Sequence, residues 1–442
     1  MRRGVLNHCL KLSVLPCFFF VASIGIAAET GKALTLEAAL SSVASAESTH
    51  PDILAAQAER DSALADRGIA EARQDVGINL EGVLRSGRQS TGNHDLASDN
   101  IVRLTARKTL YDFGRTDAAQ LAAGSEVDAR EAELIDARER KRLDIMARFF
   151  DVLLADMQYT ADHEFMTVAY LAFDRGRDLL NVGQLSRVDL ANLETRYQDL
   201  LLKRNASLQR QRISRALLAN AMNRPGNLPG DLEDPKLAGN KRSLPDFETM
   251  IPVMLANNQG LKARQSLLLA SQKRLESVRA EKGPVLDAEL LAADYSRNSN
   301  TRDSLSAGVV LSWPLYQGNR VDSRVARERA QFHKLQAGIE KLKMDLTQTL
   351  LENHMEATRL QSVGRNAAGK QVDFRDLVLE RSRGQYEVEL KTDLGASMAE
   401  TVEANLRSRR NEYQLALAFA RLEALLGKPL DESKNMNKDR MK

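Results

Sequence analysis

Four stretches of the chain alternate apolar and polar residues with a period of two. Ile78, Leu80, Gly82 and Leu84 interleave with Asn79, Glu81, Val83 and Arg85, and Val102, Leu104, Ala106 and Leu110 with Arg103, Thr105, Arg107 and Thr109. Leu286, Ala288, Leu290 and Ala292 repeat the pattern, as do Leu305, Ala307, Val309, Leu311 and Trp313. Strict alternation places one apolar and one polar face on a pleated strand. It predicts strands near 76–87, 100–111, 285–295 and 304–315, paired as two hairpins across polar loops. Each is roughly 10 to 12 residues, the length of a transmembrane β-strand.

Elsewhere the apolar spacing is helical, as at Leu36, Ala39, Leu40 and Val43. Proline, which breaks helix interiors, is absent from Asp52 to Arg224 and from Leu315 to Lys428. One very long helix is expected after each hairpin, Arg115 to about Asn181 and Asn319 to about Tyr386. At 1.5 Å per residue each is on the order of 100 Å. The helices before each hairpin and at the end of each half are about 40 residues, roughly 60 Å. Two of these laid end to end match one long helix.

The chain is thus two copies of one plan. Ile53, Ala55, Gln57 and Ala72 correspond to Leu261, Ala263, Gln265 and Ala280, and Leu218 to Pro225 echoes Leu422 to Pro429. Pro225, Pro229, Pro235 and Pro245 mark the seam. The expected organisation is a signal peptide at 1–27, a first repeat at 28–224, a connector at 225–245 and a second repeat at 246–429. The remaining 430–442 is expected to be a disordered tail.

Arg2, Arg3 and Lys11 precede an apolar run from Leu12 to Ile26, and small residues allow cleavage after Ala27. Both cysteines, Cys9 and Cys17, fall inside this leader, so the mature chain is expected to hold no disulfide and no thiolate site. Loss of three basic residues with the leader takes the net charge from +3 to zero, which gives no call for nucleic acid. Aromatic content of 5% and charged content of 28% suit thin, alanine-lined helix packing rather than a compact enzyme.

Catalytic and metal motifs fail on their context. Asp112-Phe113-Gly114 spells a kinase tripeptide but lacks the accompanying glycine-rich and catalytic loops. His163-Glu164 and Glu352-Asn353-His354 lack further ligands at useful spacing. No cofactor and no metal are expected. Arg103 and Arg107 fit a basic patch in a barrel lumen or an ordinary wet face, and the residues alone favour the wet face. Trp313 fits an interfacial belt or packing at a strand end.

Four strands are too few to close a barrel, and open edges cannot sit in lipid. If the hairpins enter a membrane, copies of the chain must pool strands. Leu-Tyr-Asp-Phe-Gly-Arg (Leu110 to Arg115), Trp-Pro-Leu-Tyr-Gln-Gly (Trp313 to Gly318) and Val-Gly-Gln-Leu-Ser-Arg-Val-Asp (Val182 to Asp189) stand where strands hand over to helices and where the first long helix turns. With the signal peptide and the duplication, these motifs resemble the TolC-type outer-membrane channel family over essentially the whole mature chain.

The resemblance implies a mainly α fold with a membrane β-barrel. Three copies would form a 12-strand barrel in the outer membrane, continued by a 12-helix tunnel across the periplasm. It implies passive conduction in a tripartite efflux pump or a type I secretion system. The implied partners are a homotrimer, a periplasmic adaptor, an inner-membrane transporter reached through that adaptor, and outer-membrane lipid. It also implies a periplasmic gate latched by Asp189, Tyr386 and Lys391, with Gly183 and Gln184 in one turn and Glu389 in the other. Glu389 stands where the family commonly has glycine. The family's constriction aspartates fall here on Gly395 and Met398. The rival reading is a periplasmic coiled-coil scaffold or adaptor without a pore, which has no use for two matched strand hairpins.

Overall fold

The computed structural model describes residues 33–45, 50–88, 96–297, 302–388 and 394–430. The expected leader, and the expected tail beyond Leu430, lie outside them. The first repeat opens with α1 (Leu36–Ser45) and α2 (Pro51–Glu71). The sequence reading expects one helix here; the structure shows two, because Pro51 occupies the first turn of α2 and His50 caps it. The imidazole Nδ1 accepts the Asp52 N–H at 3.2 Å, satisfying a donor that a helix start leaves open.

Strands β1 (Gly77–Val83), β2 (Ser86–Gly87), β3 (Ala97–Ser98) and β4 (Ile101–Tyr111) follow. Then come α3 (Arg115–Asn181) and α4 (Arg187–Ala221). The second repeat is α5 (Phe247–Asn257), α6 (Gln259–Ala280), β5 (Val285–Tyr295), β6 (Leu305–Ser312), α7 (Arg320–Arg359), α8 (Arg365–Glu387) and α9 (Leu394–Leu426). Asn258 divides α5 from α6 as His50 divides their counterparts, its Oδ1 accepting the Leu261 N–H at 3.0 Å.

β1, β4, β5 and β6 form one antiparallel sheet in that order. β2 and β3 extend the first hairpin as a small ribbon. α3 packs against α2, α4, α6 and α9. Its first turns bury Ala118, Ala122, Ala129 and Ala132, small residues that let neighbouring helices approach closely. Midway the packing thickens: Ile145, Phe149, Phe150 and Leu153 join Ile53, Leu218 and Met222 in one core. A second core gathers Met250, Met254, Leu350, Leu360, Phe419, Leu422 and Leu426. Each such side chain contributes about 1.5–3 kcal/mol of burial, so the waist of the molecule holds most of its apolar stabilisation.

The two long helices differ in one respect. α3 is 67 residues of unbroken α-helix. Its counterpart runs 68 residues from Arg320 to Glu387, with a π turn at Leu360–Gly364 between α7 and α8. A π turn is how an α-helix absorbs one inserted residue without changing the phase beyond it. α3 starts at Arg115 and α7 at Arg320, just as the matched motifs end, and the two long helices stop before Val182 and Val388.

Candidate functional site

Register divides the sheet into two chemically distinct faces. Glu81 pairs with Arg103, Asn79 with Thr105, Arg107 with Glu289 and Thr109 with Asp287, all on one face. Arg103 Nη1 donates to Glu81 Oε2 at 3.2 Å, Arg107 Nη2 to Glu289 Oε2 at 2.8 Å, and Thr109 Oγ1 to Asp287 Oδ1 at 2.8 Å. The face is therefore of mixed charge, with each arginine against a carboxylate. The opposite face carries Ile78, Leu80, Val102, Leu104, Leu290, Val309 and Leu311, all exposed. Leucines spread over a whole exposed sheet face need a covering medium.

A bulge between Thr109 and Tyr111 shifts the register so that Tyr111 lies opposite Leu286 on the apolar face. Phe113 packs on Tyr111 with ring centroids 4.7 Å apart. Trp313 follows Leu311 on the same face, its Nε1–H donating to Lys282 O at 3.2 Å. The apolar face thus ends in half-exposed aromatics where the strands meet the helices.

At the opposite, loop end the two hairpins are fastened together. Asp99 Oδ2 accepts from Arg85 Nε at 2.7 Å, and Oδ1 accepts from Arg302 Nη1 at 2.9 Å. Ser296 N–H donates to Asn100 O at 2.9 Å, and Asn100 N–H to Ser296 Oγ at 2.7 Å. The hydrogen bonds from Arg302 and then Arg85 hold the Asp99 carboxyl down to about 2. A carboxyl depressed in the fold stabilises it above its unfolded pKa, and that contribution is lost as pH falls through the folded value. Amide protection at Ser296, referred to intrinsic exchange rates, is expected to persist to about pH 4 and to fall between about 4 and 2. Asp99→Asn removes this dependence and loosens the same amides at neutral pH.

At the waist, the connector is tied to the second repeat. Arg365 Nε and Nη2 grip both Glu412 oxygens at 2.7 and 2.8 Å, and Asn240 Nδ2 donates to Glu412 Oε2 at 2.8 Å. These donors, Arg365 first, hold the Glu412 carboxyl below its ordinary value against the opposing effect of burial. Gln361 Nε2 donates to Arg242 O at 2.6 Å. Tyr413, stacked on Phe150 at 4.7 Å, donates to Asp234 Oδ1 at 2.8 Å. Burial, then the Asp234 carboxylate, pushes the Tyr413 phenol well above its usual value.

At the far end of the helices, Gly183 adopts φ 74° in the turn between α3 and α4, with Gln184 beside it. Ser186 caps α4: its Oγ accepts the Asp189 N–H at 3.0 Å and its hydroxyl donates to Asp189 Oδ2 at 2.7 Å. This serine N-cap is legible in the Ser-x-x-Asp spacing but was missed in the sequence reading. It leaves Asp189 Oδ1 without a partner among the described residues. Tyr386 is exposed in the last turn of α8. The structure does not bring Asp189 and Tyr386 together within one chain, and Lys391 and Glu389 lie outside the described residues. Gly395 and Met398 fall in the first turns of α9.

Among the described residues no group of three or more potential metal ligands occurs, and no helix is long and apolar enough to cross a membrane. No family profile matches the chain, and no curated protein matches its sequence. Its backbone is nevertheless similar to solved membrane proteins. The outer membrane protein VceC of Vibrio cholerae matches at TM-score 0.71 and 15% identity, over 89% of this chain and 96% of that one. The CmeC outer membrane channel of Campylobacter jejuni matches at 0.70 and 13% identity, over 98% and 97%. CusC, solved for its folding and transmembrane channel formation, matches at 0.71 and 15% identity, over 89% and 92%.

Proposed function

We propose that this chain, which has the fold of the TolC-type outer-membrane channels, is one protomer of a homotrimeric exit duct. It passively conducts cargo through the outer membrane for a tripartite efflux pump or a type I secretion system. The observation that carries this reading is the sheet: four amphipathic strands with one polar face, one exposed apolar face, and free edges at β1 and β6. The order alternates strand direction, so β6 of one copy meets β1 of the next antiparallel, and three copies close twelve strands.

The apolar face then meets lipid and its terminal aromatics lie at the periplasmic leaflet. The mixed-charge face, Arg103 and Arg107 included, lines the lumen. The helices extend into the periplasm, where an adaptor couples the duct to an inner-membrane transporter. A scaffold without a pore leaves the exposed leucines of both hairpins unexplained. Nothing in this arrangement calls for catalysis or a cofactor.

The latch belongs to the same reading: Asp189 Oδ1 of one helix hairpin takes Tyr386 and Lys391 across the gate. Such exposed links contribute only about 0.2–1 kcal/mol each, which suits a closure that a docking partner must undo. Planar-bilayer conductance of the mature protein tests both parts. A small wild-type conductance is expected to rise sharply in Asp189→Ala and in Tyr386→Phe/Lys391→Ala. Asp189→Asn, which keeps the cap, separates loss of the latch from fraying of α4. Equal, large conductances in every variant would discard the latch and keep the channel. No conductance from a folded oligomer would return the scaffold.

A further inference from the structure

The two repeats meet the same local problem with different chemistry. In each, a short helix gives way to a longer one, and the closing helix of the repeat ends beside that junction. The correspondence of Ile53 with Leu261 sets His50 level with Asn258, each three residues ahead, and both are buried. Asn258 Oδ1 accepts the Leu261 N–H at the start of α6, and its Nδ2 donates to Leu425 O at 3.1 Å, one residue before the end of α9. His50 Nδ1 accepts the Asp52 N–H at the start of α2. The ring's other nitrogen then carries the proton and donates to the backbone of Asn220, one residue before the end of α4. In both repeats one side chain accepts from the start of one helix and donates to the end of another.

An amide keeps its acceptor and its donor at every pH, but an imidazole does not. The neutral ring has one nitrogen of each kind, and this junction uses both. The protonated ring has two donors, so Nδ1–H faces the Asp52 N–H, donor against donor. Buried, it cannot hand the lost bond to water. The charged groups around it come from α2 and α3. Asp52 Oδ2 lies 3.7 Å from Nδ1. Lys141 Nζ is 3.1 Å from that oxygen and 3.6 Å from Asp144 Oδ2, and Arg148 Nε is 3.3 Å from Asp144 Oδ1. Among the described residues, α4 and the chain after it bring neutral groups to this cleft, such as Asn220, Asn223 and Pro225. Burial first and Lys141 next oppose a charged ring, and together they outweigh Asp52 and Asp144. The imidazole is therefore held below its usual value of 6.5.

We propose that His50 is an acid-released joint: proton uptake by its ring unfastens the first turn of α2 from the end of α4, while Asn258 keeps the matching junction of the second repeat closed. The folded ring takes up a proton less readily than the unfolded one. The junction's stability is therefore complete above about 6.5 and declines as pH falls below that, through the folded value. Ile53, one residue past the freed donor, is seated in the first core, so the release is felt at the waist of the first repeat. The joint stands on the fold alone and does not require the channel reading.

Hydrogen exchange of the mature protein, read by mass spectrometry on fragments spanning the starts of α2 and α6, tests it. Rates are referred to intrinsic exchange, so that only the response of the fold to pH is compared. Protection over 52–54 is expected to fall severalfold between about pH 7 and about pH 5, by up to about tenfold per pH unit. Protection over 260–262 is expected to hold across the same range. His50→Asn, which copies the cap of the second repeat, is expected to keep the neutral-pH protection and to remove the pH dependence. Asn258→His is expected to transfer the dependence to α6.

Equal or greater loss of protection at the second junction would overturn the joint, because acid would then be loosening the waist through groups other than His50. So would a dependence that survives His50→Asn, or protection that stays level at both junctions down to about pH 5. The comparison of the two junctions within the wild-type protein decides the question even if a variant does not fold. None of these outcomes bears on conduction, which is tested separately.

Discussion

Val309→Pro is expected to give a folded chain that no longer assembles. Ala293 N–H donates to Ser304 O at 2.8 Å, and the register from there to Val285 opposite Ser312 is unbroken. In an antiparallel ladder, bonded and non-bonded pairs alternate. Ser306, Gly308, Val310 and Ser312 therefore exchange bonds with β5, while Leu305, Ala307, Val309 and Leu311 direct their N–H groups to the open edge. Proline at Val309 removes an outward donor and leaves the bonds to β5 in place; edge strands tolerate such a residue. In a closed barrel that donor meets β1 of the next copy. Its loss strands a carbonyl in hydrocarbon at several kcal/mol, once at each of the three junctions. Far-UV circular dichroism should be unchanged while the detergent-corrected mass falls from trimer to single chain. Gly308→Pro, which attacks the chain's own ladder, should instead disturb the second hairpin. A Val309→Pro protein that remains a trimer of wild-type thermal midpoint would show that β6 is not a closing edge.

The features legible in the sequence were those written as period or repetition. Alternation along β4 and β5 located the strands and their two faces, and the matched Leu-Tyr motifs placed the starts of α3 and α7. Other features were hidden for definite reasons. Helical spacing runs on from Leu36 past residue 50, so the break that Pro51 and His50 impose was masked by a pattern that looked continuous. The bulge before Tyr111 moves one side chain to the other face without changing composition. The π turn adds a single residue to a helix of 68, below anything a hydrophobic pattern resolves. Asn240 and Glu412 meet across 172 positions, so only the folded chain shows the connector as a brace. The gate residues depend on contacts between copies. A single chain shows only their local roles, such as Asp189 accepting the hydroxyl of Ser186, the N-cap of α4.

One-residue deletions in the two long helices are expected to have opposite outcomes. Deleting Ala147 from α3 rotates everything beyond it by about 100° relative to what precedes it. Phe149, Phe150, Val152 and Leu153, all buried, would leave their places in the waist core. At about 1.5–3 kcal/mol for each large side chain, losing several approaches or exceeds a typical total stability of about 5–15 kcal/mol. No folded protein should be recovered. Deleting Val363, an exposed residue of the π turn, instead restores a helix of the same length as α3. Residues beyond it keep their phase, so Arg365 still meets Glu412 and Ser382 still meets Ser397. The main loss is at Asn411, whose amide no longer finds a displaced Leu360 carbonyl, at about 1–3 kcal/mol. Yield and thermal midpoint of the two variants are the measurements. A near-normal protein from the Val363 deletion beside none from the Ala147 deletion would locate the inserted residue at the π turn. Equal failure of both would mean that the turn is required for folding.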